Sequence, residues 1–393
     1  MTCSPHIWVY AACKLNKGKN KMITLEKSVI LGAIRKVLPG VEKGKTTIDG
    51  ADQLLFTGTH VYSHNGLVAV AAPCDTQGQT FSVKGMNFFN WVSKINDLML
   101  AMEIKDGKII LKGGRNKTSM KLMDPSSIQS YVDALDVASL EFTPLPEGFQ
   151  DTVTICMLEG NSTALKGIAV GPADDPEEGK QDSPDDDLSR PSAVYSTDSV
   201  RICQQALSGS MKRFWVDDRI LLDAFKVGAP VGYCIKGSWL HLSYADSSTF
   251  SAQVKDCVAY PFRTCREFIG SIPASSVVVS GRLPKDIGDA VSRVSILAGA
   301  GTDSGMTELV RLTFRQEELE LHAERDDGDA TETVPWDEAL DKDPGVSICV
   351  SIRFLTGAAN KTMDFSLVEA QDGSRSLVFR SGSYIQMVST SSN

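Results

Sequence analysis

The sequence predicts an α+β protein built from three tandem copies of one plan, each a sheet with two helices on one face. Three observations point to it. Apolar residues recur at helical spacing in separate stretches along each third of the chain. Between those stretches lie short, β-branched or alternating runs, punctuated by Asn65-Gly66, Asp106-Gly107 and Gly113-Gly114. The order strand, helix, strands, helix, strands then occurs three times without close identity between copies, as in repeated modules.

The last third shows the plan most plainly. Val277, Val278 and Val279 open it as a strand, and residues 283–298 follow as a helix. Strands are expected at 309–314, 319–323 and 332–334, a short helix at 352–361, and closing strands at 364–369, 376–380 and 384–388. In the first third a strand at 22–25 leads into a helix at 26–38. There Val29, Ile30, Ala33, Ile34, Val37 and Leu38 repeat at helical spacing, and Pro39-Gly40 ends the run. Strands at 53–56, 60–63 and 67–71 precede an amphipathic stretch at 84–95 and strands at 98–104, 108–112 and 118–123. The middle third reads as a strand at 139–142, a helix at 147–158, and strands at 165–170 and 193–196. A helix at 217–227 and strands at 232–236, 239–244 and 250–255 complete it, and residues 260–272 bridge to the last unit. The expected division is an N-terminal extension at 1–21, then domains at 22–125, 138–259 and 275–393.

A chain of 393 residues has room for about two to four such domains. Its 42% hydrophobic and 23% charged residues are ordinary for a soluble protein. No apolar run reaches the roughly 18 residues of a membrane span. Nine cysteines lie scattered, with no C-x-x-C pair and no Cys/His cluster, which fits reduced thiols in a cytoplasm and no zinc site. The net charge of −9 is uneven: residues 173–187 hold eight acids and one lysine, a net of −7, leaving −2 for the rest. That segment has almost nothing to bury, so 171–191 reads as a disordered insertion within a hairpin. A near-neutral body can still present one basic face.

Signatures of catalysis are missing. There is no G-x-x-x-x-G-K-[ST], G-x-S-x-G or H-E-x-x-H. Gly113-Gly114-Arg115 lies between strands and reads as a hairpin turn. His60 and His64 fall in a hairpin region, not on a helix, so they do not make a metal pair. No catalytic residue, cofactor or metal is expected. The basic residues are more informative. Lys27, Arg35, Lys36, Lys43, Lys45 and Lys94 sit on or just after the first unit's helices. Arg219 and Lys226 do so in the second, and Arg282, Lys285, Arg293, Arg353 and Lys361 in the third. Such residues are either solvated helix faces or contacts to phosphates that ignore base sequence.

Several stretches, in order and at matching separations, carry a resemblance to a known family. "VKGMNFFNWVSKI" followed by "MEIKDGKIILKGGRNKTSMKL" resembles the end of its first domain. "STDSVRICQ" at 196–204 is similar to its "ATDGHRLAV". "YPFRTCREFIGSIP", "AVSRVSILA" and the terminal "SYIQMV" are similar to its last third. The chain thus resembles the bacterial-type DNA polymerase sliding clamp, the beta subunit of DNA polymerase III, over roughly 22–389. The divergence and the acidic insertion suggest a phage-encoded member.

The resemblance implies three clamp domains per chain and two chains head to tail in a closed ring. Helices line the hole and sheets form the rim. A ring is held on duplex DNA by topology, so basic side chains need only offset phosphate charge loosely. Arg35, Lys45, Arg293 and Arg353 are the DNA-facing residues it implies. It further implies a groove where the polymerase and the clamp loader dock a short linear peptide, formed by Leu165, Thr197, Ser199, Arg201, Ile202, Pro261, Arg266, Ile385 and Met387. Ser199-Val200 stands where the family has Gly-His, and Gln386 and Val388 replace apolar and Pro residues, which implies an altered peptide. The dimer contact would pair Ile296 and Leu297 with Thr118 and Met120. The alternative is a non-catalytic clamp-like protein that competes with or inhibits a host clamp.

Overall fold

The computed structural model describes residues 22–45, 47–160, 163–174, 188–298, 308–325 and 328–391. The expected N-terminal extension and residues 175–187 of the acidic segment lie outside them. The chain divides into two compact units, one holding residues up to Asn65 and 71–135, the other 66–70 and everything from Asp136 onward.

The first unit contains β1 (Ile23–Glu26), α1 (Lys27–Val37), β2 (Gln53–Thr57) and β3 (His60–His64). After β4 (Val68–Pro73), which crosses the division, come β5 (Thr80–Lys84), α2 (Gly85–Lys94), β6 (Met99–Lys105), β7 (Lys108–Gly113), β8 (Asn116–Lys121) and α3 (Ser126–Leu135). Ile30, Ile34 and Val37 of α1 are fully buried, one apolar stripe at helical spacing, whereas Val29 is 54% exposed. The strands form two groups, β1-β6-β7-β8 and β5-β2-β3.

The second unit begins with β9 (Thr143–Pro144), α4 (Phe149–Cys156), β10 (Ile168–Pro172), β11 (Ser192–Thr197), β12 (Arg201–Ala206) and β13 (Phe214–Val216). It continues through α5 (Asp218–Val227), β14 (Pro230–Lys236), β15 (Trp239–Tyr244), β16 (Thr249–Gln253) and α6 (Phe262–Ser271). Then follow β17 (Ser276–Arg282), α7 (Ile287–Ala298), β18 (Leu309–Phe314), β19 (Glu318–Arg325), β20 (Gly328–Pro335) and β21 (Val346–Ser351). The last elements are α8 (Ile352–Ala359), β22 (Asp364–Glu369), β23 (Arg375–Ser381) and β24 (Tyr384–Ser389). An eight-stranded antiparallel sheet, β13-β10-β11-β12-β24-β23-β22-β17, runs through this unit. The sets β16-β15-β14-β9 and β20-β19-β18-β21 accompany it.

The order β-α-ββββ-α-βββ therefore occurs three times, with α3 and α6 as connectors. The strands of one copy do not share a single sheet, as the sequence led us to expect. The first and last three pair with one another, and the middle four pair among themselves. Hairpin-linked strands stay adjacent, and each helix carries the chain from one set to the other.

Four local expectations change. The strand expected at 139–142 gives way to β9, because Asp136 is left-handed at φ 44° and its carbonyl accepts from Ser139 N–H in a tight turn. The helix expected from Leu283 starts at Ile287, since Pro284 disfavours helical geometry in the residue before it. The insertion is shorter than 171–191: Gly171 and Pro172 finish β10 opposite Ala193 and Ser192, and Ala173 N–H donates to Pro191 O at 2.8 Å. Lys361, expected on a basic helix surface, instead donates from Nζ to Met157 O at 2.7 Å, and burial lowers its pKa.

One buried group makes the fold sensitive to pH. His241 on β15 is 1% exposed, its Nδ1 lies 2.8 Å from Ser251 Oγ, and burial lowers its pKa to about 4. In the unfolded chain the ring takes a proton near pH 6.5, so between those values the unfolded state binds more protons. Stability falls as pH drops through that window, by roughly 3 kcal/mol for this group. Urea titrations of the wild type and His241→Gln from pH 7.5 to 4 check it: the wild type's midpoint falls more steeply, and parallel curves would refute the assignment.

Candidate functional site

The connection between β11 and β12 is a tight turn built from its own side chains. Thr197 Oγ1 donates to Arg201 O at 2.8 Å and accepts from Ser199 N–H at 3.2 Å. Asp198 Oδ1 accepts from Val200 N–H at 3.2 Å and Arg201 N–H at 2.7 Å. Asp and Thr favour such turns because a short side chain can replace a backbone acceptor. Ser199 sits at φ 73°, the left-handed region where glycine is favoured.

Alternation along β12 sends neighbouring side chains to opposite faces. Arg201 points into the interior at 1% exposure. Its Nε and Nη2 donate to Asp198 Oδ2 at 2.8 and 2.7 Å, Nη2 also donates to Glu159 O at 3.0 Å, and its guanidinium carbon lies 4.0 Å from the Phe354 ring centroid. Arg201 thus holds the turn from beneath and does not face solvent as a groove wall. Thr197 is likewise buried.

Ile202 takes the opposite face. It lies directly across from Met387 on β24, and Gln204 lies across from Ile385. Leu165 and Ile202, both half-buried, pack on a cluster of Tyr195, Trp215, Tyr260, Phe262 and Cys265. Ile385 and Met387, also half-buried, pack on Ile272, Val368 and Val378. The result is one partly covered apolar strip across the β12–β24 pair, with flexible Met387 beside stiff Ile202. Of the nine residues expected in the groove, these four form the apolar strip, and Ser199 is exposed.

The remaining two belong to the connector. Arg266 on α6 is 5% exposed, and its Nη1 donates to Pro172 O at 3.4 Å; that carbonyl also accepts from Tyr195 Oη at 2.6 Å. Arg266 therefore anchors α6 to β10 and offers no exposed cation to a ligand. Pro261 precedes α6 and lines a separate cavity of about 250 Å³ with Arg213, Tyr260 and Phe262, which includes none of the other expected groove residues. Gln204 and Val378 share the strip by register but were not foreseen. Period-two alternation from Ile202 and Met387 is the signal that locates them.

The expected DNA-facing residues are all exposed. Arg35 lies in the last turn of α1, and Lys45 follows the same helix. Arg293 on α7 forms a two-pronged pair with Glu332, at 2.8 and 3.2 Å, and this interaction raises the arginine pKa and lowers that of the glutamate. Arg353 projects from α8, where its guanidinium occupies the space a side chain at Gly160 would need. Of the expected dimer residues, Thr118 and Met120 are half-buried on β8, an edge strand, and Ile296 is 75% exposed. Leu297 lies on α7, and its side chain is outside the described residues. Among the described residues no group of three or more His, Cys, Asp or Glu side chains could hold a metal, and no helix is long and apolar enough to cross a membrane.

The sequence matches no protein-family model and no curated protein. Its fold, however, matches solved structures along nearly its whole length. The DNA polymerase III beta chain of Streptococcus pneumoniae aligns with a TM-score of 0.74 at 13% identity, covering 95% of this chain and 100% of that one. The sliding clamp of Bacillus subtilis aligns at 0.73 and 14% identity with the same coverage. The Helicobacter pylori beta clamp bound to a DNA ligase peptide aligns at 0.71 and 15% identity, again over 95% and 100%. Over that length the chain has the fold of the DNA polymerase III beta-subunit sliding clamps.

Proposed function

We propose that this chain is a divergent member of that family: a non-catalytic processivity factor that encircles duplex DNA and tethers a DNA polymerase. The carrying observation is that one clamp fold accounts for 95% of this chain and 100% of the S. pneumoniae protein. The thrice-repeated element order supports three modules, 22–125, 138–259 and 275–393. Two copies, joined through Thr118 and Met120 of one and Ile296 and Leu297 of the other, would close the ring. The exposed β8 edge supports this, since an unpaired strand edge is a template for a second chain.

Arg35, Lys45, Arg293 and Arg353 are the residues we assign to the DNA. An exposed ion pair such as Arg293–Glu332 contributes little in water and exchanges readily for a phosphate contact. The strip around Ile202 and Met387 is where a short peptide from the polymerase, the clamp loader or another replication protein docks. The ligase peptide on the H. pylori clamp supports a peptide-binding role for this fold. The location is the bacterial cytoplasm, or the host cytoplasm if the protein is phage-encoded.

Retention on closed DNA tests the reading. Labelled protein loaded on a nicked plasmid circle should co-elute with it and be released when a restriction enzyme linearises the DNA. Electron microscopy of the free protein should show six lobes around an opening. A particle with no opening, or equal retention before and after cutting, would overturn the proposal. Peptide binding without any retention on circles would favour a competitor of another clamp.

A further inference from the structure

The face of the β1-β6-β7-β8 sheet turned away from the core carries a charge pattern that the proposed ring and groove do not use. Met102, Ile109 and Leu111 point inward and are fully buried. The alternate residues therefore point outward. Register places Lys105 opposite Lys108, Lys108 opposite Lys121, and Lys112 opposite Lys117. Five lysines thus form two rows on one face.

Residues directly opposite in an antiparallel pair have Cβ atoms about 5 Å apart, and like charges there are destabilising. Lys112 has Glu103 at 3.8 Å. Lys105, Lys108, Lys117 and Lys121 are exposed and have no ion pair among the described residues; Asp106 sits in the adjoining turn. This concentration of like charge works against folding.

The rows are four residues apart along β7, about 13 Å at roughly 3.3 Å per residue. That is close to the roughly 12 Å width of the major groove of B-form DNA, so each row can meet one of the two phosphate ridges flanking it. Lysine is a point charge suited to phosphate contact without base readout. Glu103, Ile110 and Ser119 lie between the rows, Glu103 held by Lys112, with no aromatic ring on which an unpaired base could stack. We propose that this face binds the phosphodiester backbone of duplex nucleic acid, as a second contact surface separate from the helix-borne basic residues.

The test uses the full chain and a labelled 30-base-pair duplex blocked at both ends with streptavidin, so that threading cannot contribute. Fluorescence anisotropy is measured over a salt series for wild type, K105Q/K108Q/K112Q and K105R/K108R/K112R. The glutamine variant should bind at least tenfold more weakly at low salt. Its plot of log affinity against log salt should be shallower by about 2 to 3, given roughly 0.9 per phosphate contact. The arginine variant should retain both values. Should the triple glutamine variant fail to fold, Lys108→Gln alone should lower the slope by about 0.9. Unchanged affinity and slope would overturn the proposal. So would polyglutamate binding as tightly as the duplex with the same lysine dependence, which would mark an acidic protein surface as the partner. Release from cut plasmid circles is unaffected by either result.

Discussion

Arg201→Ala should destabilise the protein by about 3–5 kcal/mol, the usual cost of removing one member of a buried ion pair. The substitution leaves Asp198, 6% exposed, as a buried carboxylate without its cation. It also removes the donor to Glu159 O and the guanidinium over Phe354. Asp198→Asn should cost less than Arg201→Ala, because the amide oxygen can still accept the Val200 and Arg201 N–H groups that close the turn. Arg201→Met combined with Asp198→Asn should recover part of the loss, since no charge is then stranded. Urea denaturation of the three variants measures the order. A single Arg201→Ala loss below about 1 kcal/mol would mean the pair is solvated and the turn is held by its backbone bonds alone.

The same residue shows where the sequence stops being legible. The sequence predicts a strand that ends at Ser196 and none at 201–206, so neither the turn at Asp198 nor β12 is legible in it. Which way Arg201 points depends on the phase of β12 and on Phe354, about 150 residues away in the chain, and no local pattern carries that. Elements with a clean period were readable almost to the residue: β15, β18 and β22 begin and end where alternation begins and ends. β21, with Val346, Ile348 and Val350 buried in strict alternation, carried the same signal but was passed over between an acidic loop and a helix. α3 was missed too, although Asp124 Oδ1 accepts from Ser126 N–H at its start and Ile128 and Leu135 are buried along it. The splitting of each copy into two sets of strands was not legible, because pairing between β1 and β6 or β17 and β22 is a long-range choice. Of the residues that the resemblance implies for a groove, Ile202 and Met387 lie on the apolar strip, whereas Arg201 and Arg266 are buried anchors.

Ile202→Asp should weaken binding of a partner peptide by about 3–4 kcal/mol, several hundredfold, while leaving the chain folded. Ile202 is half-buried on the open face of the β12–β24 pair, so the carboxylate stays hydrated in the free protein. A bound peptide would have to cover it with an apolar side chain, and burying an unpaired charge is far costlier than losing the contact. Met387→Ala, directly opposite, should cost only about 1 kcal/mol, because truncation removes an adaptable contact without introducing a charge. Gln204→Ala, on the same strip beside Ile385, should fall between neutral and the Met387 effect. The measurement is anisotropy of a labelled short peptide from the cognate polymerase, with thermal melts of each variant alongside. The contrast between the two opposed positions is the informative quantity. Generic loosening of the sheet would lower the melting point of both variants and weaken the peptide in proportion. A docking surface centred on Ile202 and Met387 predicts a large gap in affinity between Asp at one and Ala at the other with melts close together. Full-strength binding to Ile202→Asp would place the peptide elsewhere, for instance at the cavity bounded by Pro261, Tyr260 and Arg213.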